Sequence, residues 1–139
     1  MKPQELKIGN LVCYNGEVVT VKQITKHKIG YHTKPYETRM CYTRLCEIEP
    51  ILITEELLLK IGFKKGRNGY FNYRECNDEL SIRFIPNYTF IEYANLCFNP
   101  EDVTETNYSS SLEFPNTLHL HTLQNIWHLL TGKELEIKL

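Results

Sequence analysis

The sequence predicts an α+β fold in which short antiparallel strands are combined with two short helices. Three observations predict it: an Asn15-Gly16 turn between apolar strands, alternating apolar and polar residues after Gly69, and two helical segments that each end at a glycine. With 139 residues, 42% of them hydrophobic, the chain has the size of one domain. We expect a single domain over residues 1–139, alternatively divided into a barrel-like subdomain over 1–50 and a sheet with two helices over 51–139.

The N-terminal third of the chain predicts a β-hairpin followed by shorter strands. Its first two strands are Leu11–Tyr14 and the β-branched segment Glu17–Ile24. The Asn-Gly pair between them favours a type I′ turn, because both central residues of that turn need positive φ. We predict a third strand over Lys28–His32, a loop or irregular edge over 33–45, and a half-buried strand over Cys46–Glu49.

Two short helices are predicted from their capping residues and apolar faces. The first begins after Thr54, a good N-cap, and ends at Gly62. The second runs from His119 or His121 to Thr131, and its apolar residues recur at i, i+3, i+4 and i+7. Such short helices need tertiary contacts, so we expect the C-terminal helix to pack on the sheet.

The C-terminal half predicts an antiparallel meander. Its strands are Tyr70–Arg74, Leu80–Ile85 and Tyr88–Ala94, separated by turn residues. Residues 99–117 are polar, acidic and rich in serine, which predicts a long loop that a short strand around Ser111–Phe114 interrupts. The alternation in Leu135–Leu139 predicts a final strand.

Three segments together resemble a known group of proteins. They are Glu5–Val12 with its following Asn-Gly turn, Ile53–Phe63 and Leu118–Leu135. In this order they resemble small proteins of gut bacteria of the Bacteroides type, their prophages and mobile elements. That group has no assigned activity. The resemblance therefore implies a protein of a phage or mobile element and carries over no functional residues. The Lys-x-Gly entry to the first strand also resembles the start of an SH3-like barrel.

Catalytic, metal and membrane functions find little support in the sequence. The five cysteines include no CxxC pair, and no phosphate-binding glycine motif or nucleophile signature occurs. His119, His121 and His128 lack a nearby third ligand type, which indicates an exposed polar face of the helix. We therefore predict a non-catalytic protein without metal or cofactor. No apolar segment reaches membrane-spanning length and no signal peptide is recognised, so we expect a cytoplasmic location and no membrane partner.

The charge of the chain is unevenly distributed along it. Residues 1–74 contain thirteen Lys and Arg against seven Asp and Glu, whereas residues 75–139 contain three against ten. Two explanations stay open. The oppositely charged halves attract each other, within one chain or between the subunits of a homo-oligomer, or the basic half carries a binding face for a polyanion.

A basic, tyrosine-rich stretch is the best candidate for a binding site. Cations suit phosphates and aromatic rings stack on bases, so the predicted ligand is a nucleotide or nucleic acid. The candidate residues are Lys28, Tyr31, His32, Lys34, Tyr36, Arg39, Tyr42, Arg44, Lys65 and Arg67. The alternative is a solvated edge whose tyrosines pack into the sheet.

The function predicted from these observations is that of a non-catalytic binding protein of a phage or mobile element. Two narrower hypotheses fall under it. One is a phage counter-defence protein that sequesters a small nucleotide signal. The other is a nucleic-acid or protein adaptor that uses the basic N-terminal face.

Overall fold

The computed structural model describes residues 1–34, 37–97, 106–115 and 117–137 and confirms the α+β class. The chain divides into two compact units. The first unit consists of Met1–Leu52 together with His119–Leu135, and the second unit is formed mainly by Ile53–Leu118. Within the described ranges, no helix combines the length and apolar character needed to cross a membrane.

The first unit contains two three-stranded antiparallel sheets, with strand orders β2-β1-β6 and β3-β4-β5. The strands are β1 (Leu11–Tyr14), β2 (Glu17–Thr20), β3 (Gln23–Ile24), β4 (Lys28–Tyr31), β5 (Cys41–Arg44) and β6 (Ile48–Glu49). The predicted hairpin is confirmed: Asn15 and Gly16 join β1 to β2 with φ of 51° and 81°. These are the positive values that a type I′ turn requires.

Strand β5 corrects the prediction of a loop or irregular edge over residues 33–45. It pairs in register with β4, so that Lys28 lies opposite Arg44 and Tyr31 opposite Cys41. Thr43 is buried, whereas Tyr42 and Arg44 are exposed. Because the exposed positions carry a ring and a charge, the sequence lacks the apolar repeat that indicates a strand.

Both sheets of the first unit contribute to one apolar cluster. Val12 from β1 and Ile29 from β4 are completely buried in it, together with Val21 between β2 and β3. Among the described residues no strand pairing joins the two sheets. The resemblance to an SH3-like barrel therefore stays a prediction.

Helix α2 (Leu120–Thr131) belongs to the first unit and confirms the predicted C-terminal helix. Its apolar face is inaccessible to solvent at Leu123 and Trp127. Gly132 ends the helix with φ of 70°, and its N–H donates to the carbonyl of His128 at 2.8 Å. Glycine takes this left-handed conformation without a steric penalty, as a helix C-cap requires.

Polar side chains on α2 bind the segment that leads into β1. The Gln124 side chain accepts a hydrogen bond from the Leu11 backbone N–H (2.9 Å) and donates one to the Gly9 carbonyl (3.3 Å). The Asn125 oxygen accepts from the Asn10 amide at 2.9 Å. These buried amides fix the helix against the hairpin with directional contacts as well as apolar packing.

The second unit is the predicted meander, extended at both ends. It contains α1 (Glu55–Lys60), β7 (Lys64–Lys65), β8 (Phe71–Glu75), β9 (Asp78–Ile85), β10 (Tyr88–Cys97) and β11 (Thr106–Pro115). The sheet order is β11-β10-β9-β8-β7, and α1 contacts β7 and β8. Phe71, Leu80, Ile82 and Ile91 form its buried face.

Two predictions for the C-terminal half are wrong. Residues Thr106–Pro115, predicted to belong to a loop with a short strand, form one ten-residue strand paired with β10 along its whole length. The serines did not indicate a strand because β11 is at the sheet edge and Ser110–Glu113 are exposed. Residues 134–137 are irregular and not in a strand, although Leu135 is buried. Residues 98–105, 116, 138 and 139 lie outside the described ranges.

Replacing the helix cap Thr54 with alanine should destabilise the second unit by about 1 kcal/mol. The Thr54 hydroxyl accepts a hydrogen bond from the Leu57 N–H at 3.2 Å, and alanine leaves that N–H without this partner. Urea unfolding measures the loss. Thr54→Ser is the matched control, because serine keeps the hydroxyl and should unfold near the wild-type midpoint. Equal stabilities of the alanine and serine variants would show that the cap contributes nothing.

Candidate functional site

The hairpin that joins β3 to β4 presents cations at its tip. The Thr25 N–H and hydroxyl both donate to the Lys28 carbonyl, at 2.9 and 3.0 Å, and the Lys28 N–H donates to the Thr25 oxygen at 3.1 Å. These bonds close the turn and leave Lys26 and His27 exposed at its end. The Leu45 N–H donates to the His27 carbonyl at 3.0 Å, which holds the end of β5 against the same tip.

A groove of about 460 Å³ lies beside this tip, and we call it the cationic groove. Its polar lining consists of Lys2, Lys26, His27, Lys28 and Arg44, and none of the residues that line it is Asp or Glu. Because Lys28 and Arg44 are direct cross-strand neighbours, their like charges repel each other. A bound anion would relieve this repulsion, so the groove is suited to an anionic ligand.

The cations of the groove are available for a ligand. In the part of the chain that the structure describes, Lys26, Lys28 and Arg44 form no ion pair. All three residues are exposed. The acidic residue nearest in sequence, Glu47, is held by other contacts: its carboxylate accepts from the Thr43 hydroxyl at 2.6 Å and from the Arg44 N–H at 3.1 Å.

Glu47 places a negative charge at this end of β5. The hydrogen bond from Thr43 lowers the pKa of Glu47 below its usual value, and the Arg44 backbone N–H and the charges of Arg44 and Lys28 act in the same direction. The carboxylate is therefore ionised at neutral pH. It offsets part of the positive potential of the groove without occupying it.

Tyr42 adds an aromatic ring to the same face of the sheet. It precedes Arg44 by two residues, so both side chains point to one side of β5. The residue is 53% exposed, and its hydroxyl donates to the Gln23 amide oxygen at 2.8 Å. This hydrogen bond holds the ring on the sheet face that also carries Arg44, where it offers a stacking surface for a base.

Tyr31, another predicted site residue, lies in the core and is only 7% exposed. Its ring centroid is 5.6 Å from that of Tyr14, and burial raises the pKa of the Tyr31 hydroxyl, with Tyr14 adding to the effect. This position fits the alternative interpretation from the sequence, in which tyrosines of the stretch pack into the sheet. Tyr36 lies outside the described residues.

The remaining predicted residues line other cavities. His32 and Lys34 line one of about 360 Å³ together with Lys22. Arg39 lines one of about 680 Å³ with Tyr42. The structure therefore brings together Lys28 and Arg44, with Tyr42 on the same sheet face, and distributes the other residues of the stretch along the first unit.

Lys65 and Arg67 belong to the second unit and have their own neighbours there. The Lys65 ammonium is 2.9 Å from the Glu55 carboxylate and 5.2 Å from the centroid of the Phe71 ring. Arg67 lines a cavity of about 290 Å³ together with Glu92. These acidic and aromatic partners make the two residues weaker candidates for binding an anion.

The sequence interpretation missed a second site at the start of α2. His121, predicted to lie on an exposed polar face, is only 5% exposed. Its ring stacks on that of His119, with centroids 5.7 Å apart and planes 9° from parallel. Burial lowers the pKa of His121 from 6.5 to about 4, and the neighbouring His119 contributes to the shift. The side chain is therefore neutral at pH 7.

Within the described residues, no group of three or more His, Cys, Asp or Glu side chains is placed to hold a metal ion. The parallel rings of His119 and His121 stack instead of converging on one point.

No family model, no curated protein and no solved structure matches this chain.

Proposed function

We propose that this is a non-catalytic binding protein, of a phage or mobile element, that binds the phosphates of a nucleic acid. The observation that carries the proposal is the cationic groove, which Lys2, Lys26, Lys28 and Arg44 line without an acidic residue. Each phosphate bound by a lysine or arginine releases counterions, which favours association with a polyanion.

The arrangement of the cations favours a chain of phosphates over a single one. Lys28 and Arg44 lie at one end of the β4–β5 pair, and Arg39 precedes the start of β5 at its other end. Tyr42 lies exposed between them. An extended backbone can contact such a series of sites along a strand pair, whereas a small sequestered nucleotide requires an enclosed pocket. We therefore favour the adaptor hypothesis over sequestration of a nucleotide signal.

Salt dependence tests this proposal. We expect a fluorescently labelled single-stranded oligonucleotide to bind, as measured by anisotropy, and to bind roughly twentyfold more weakly at 200 mM than at 50 mM salt if about three phosphates are contacted. An affinity that is independent of salt, or no binding at about 50 mM salt, would contradict the proposal.

Removing the charge of Glu47 should strengthen binding. Glu47→Gln keeps an acceptor oxygen for Thr43 and Arg44 but removes the negative charge beside the groove, so we expect an affinity increase of about two- to threefold at low salt. Glu113→Gln is the matched control, an exposed carboxylate of β11 in the second unit. Equal increases in the two variants would mean that only net charge matters, and the location of the site would lose support.

A further inference from the structure

A second cavity, of about 440 Å³, adjoins the cationic groove, and we call it the histidine cavity. Met1 lines both, and Gln4 and Glu5 of the short 3-10 helix Pro3–Glu5 line the second. The opposite wall comes from the first turns of α2, through His119, His121, Thr122 and Asn125. Its volume is in the range of sites that take small organic molecules.

His121 contributes an imidazole ring to the wall of this cavity. The residue is 5% exposed, and its Nδ1 atom is buried without a hydrogen-bond partner among the described residues. A neutral imidazole offers one donor and one acceptor nitrogen, and buried polar groups normally have partners. Because the Nδ1 atom is shielded from solvent, a ligand in the cavity contacts the rest of the imidazole ring.

The other walls fit a flat heterocycle. His119 is half-buried and continues the parallel stack of His121, so it provides an aromatic surface at the cavity. The Glu5 carboxylate accepts a hydrogen bond from the Lys2 N–H at 3.1 Å and retains acceptor capacity for a ligand N–H. The Asn125 side chain already bonds to Asn10 and to the Glu5 carbonyl, so it shapes the cavity without needing a ligand.

We propose that the histidine cavity binds one unstacked nucleobase whose phosphate lies in the cationic groove. This inference rests on the proposed function and adds that the nucleic acid is single-stranded, because a duplex keeps its bases stacked and paired. The recognised chemistry is a base with its attached phosphate. A single-stranded nucleic acid and a free nucleotide both supply it, and the experiment distinguishes these sources.

The test uses 2-aminopurine, a fluorescent base, in a single strand of about twelve nucleotides, in the corresponding duplex, and as the free nucleoside monophosphate. We expect the single strand to bind about tenfold more tightly than the duplex, and its probe fluorescence to change on binding. The His119→Ala variant should bind the single strand about tenfold more weakly than the wild type. The salt dependence of its affinity should not change, because stacking releases no counterions. His119→Phe keeps a ring and should retain the preference. Leu129→Ala, an exposed position on the same helix, is the control.

The outcomes separate this inference from the proposed function. If the single strand and the duplex bind equally, with salt-sensitive affinities that His119→Ala does not change, the histidine cavity does not bind a base. This result still supports phosphate binding in the cationic groove. If no oligonucleotide binds, the proposal of phosphate binding in the cationic groove fails, and the monophosphate alone tests base binding in the histidine cavity. A fluorescence change of the monophosphate that His119→Ala abolishes supports base binding there, and no fluorescence change overturns it. A monophosphate that binds as tightly as the oligonucleotide supports the cavity and assigns it to a free nucleotide.

Discussion

Replacing both Lys28 and Arg44 with glutamate is expected to weaken nucleic-acid binding by about a hundredfold at 50 mM salt. The two side chains are cross-strand neighbours in the cationic groove, and the change removes two phosphate contacts and adds two repelling charges. The dependence of log affinity on log salt should become shallower by about 1.4 for a single strand. Anisotropy titrations at several salt concentrations measure both effects.

A second double variant provides the control for net charge. Lys60→Glu with Arg67→Glu changes the net charge equally but alters two exposed residues of the second unit. We expect less than about a threefold loss from this change, since neither residue lines the cationic groove. The Lys28 and Arg44 double variant keeps a like-charge pair across the strands, so its stability in urea should match the wild type. Equal losses of affinity in both double variants would contradict a localised site.

Acidification from pH 7 to pH 4 should reduce the free energy of unfolding by about 3 kcal/mol through His121 alone. Its pKa is about 4 in the folded chain and near the ordinary 6.5 when unfolded. The folded state therefore favours the neutral ring. The stabilisation is fully present above pH 6.5 and is lost as the pH falls towards 4. His119 and the N-terminal amine disfavour the imidazolium, and Glu5 partly favours it.

Urea unfolding at a series of pH values measures this dependence. In His121→Phe, which retains a ring, the contribution should disappear and stability should vary less between pH 6.5 and 4. His27→Gln is the matched control, because His27 is exposed at the hairpin tip and does not line the histidine cavity, so the loss of stability that His121 causes should persist in this variant. If wild type and His121→Phe show parallel profiles, His121 is not buried as a neutral base.

Local signals in the sequence predicted the turns and helix ends correctly. Asn15-Gly16, Thr54 and Gly132 each act through the backbone of adjacent residues, by positive φ or by a capping hydrogen bond. Such effects depend on neighbours within a few positions, so a sequence window contains all that is needed to predict them.

The strands that were missed depend on distant partners. In β5 the exposed Tyr42 and Arg44 are aromatic and charged, and in β11 Ser110, Ser111 and Glu113 are exposed beside Leu112, so neither strand shows the apolar alternation typical of a half-buried strand. Their hydrogen bonds come from pairing with β4 and β10, which no local pattern reveals. Conversely, the alternation at residues 135–137 finds no strand partner, and Leu135 is buried by packing alone.

The sequence predicted which residue types belong to the candidate site, but not how the fold places them relative to each other. The basic stretch indicated Lys28 and Arg44, but their direct opposition follows from the β4–β5 register. The same register buries the side chain of Tyr31. The histidine cavity was not predictable either, because His121 meets Met1 and Glu5 there from positions more than a hundred residues away in sequence.

Chemical-shift mapping tests the central claim, phosphate binding in the cationic groove, most directly. Backbone amide signals of ¹⁵N-labelled protein are recorded during titration with a short single-stranded oligonucleotide at low salt. We predict that the largest shifts occur at Lys26–Lys28 and Arg44–Cys46, and that they reverse when salt is added. Shifts confined to the second unit, around Lys65 and Arg67, or no shifts at saturating oligonucleotide, would contradict the claim.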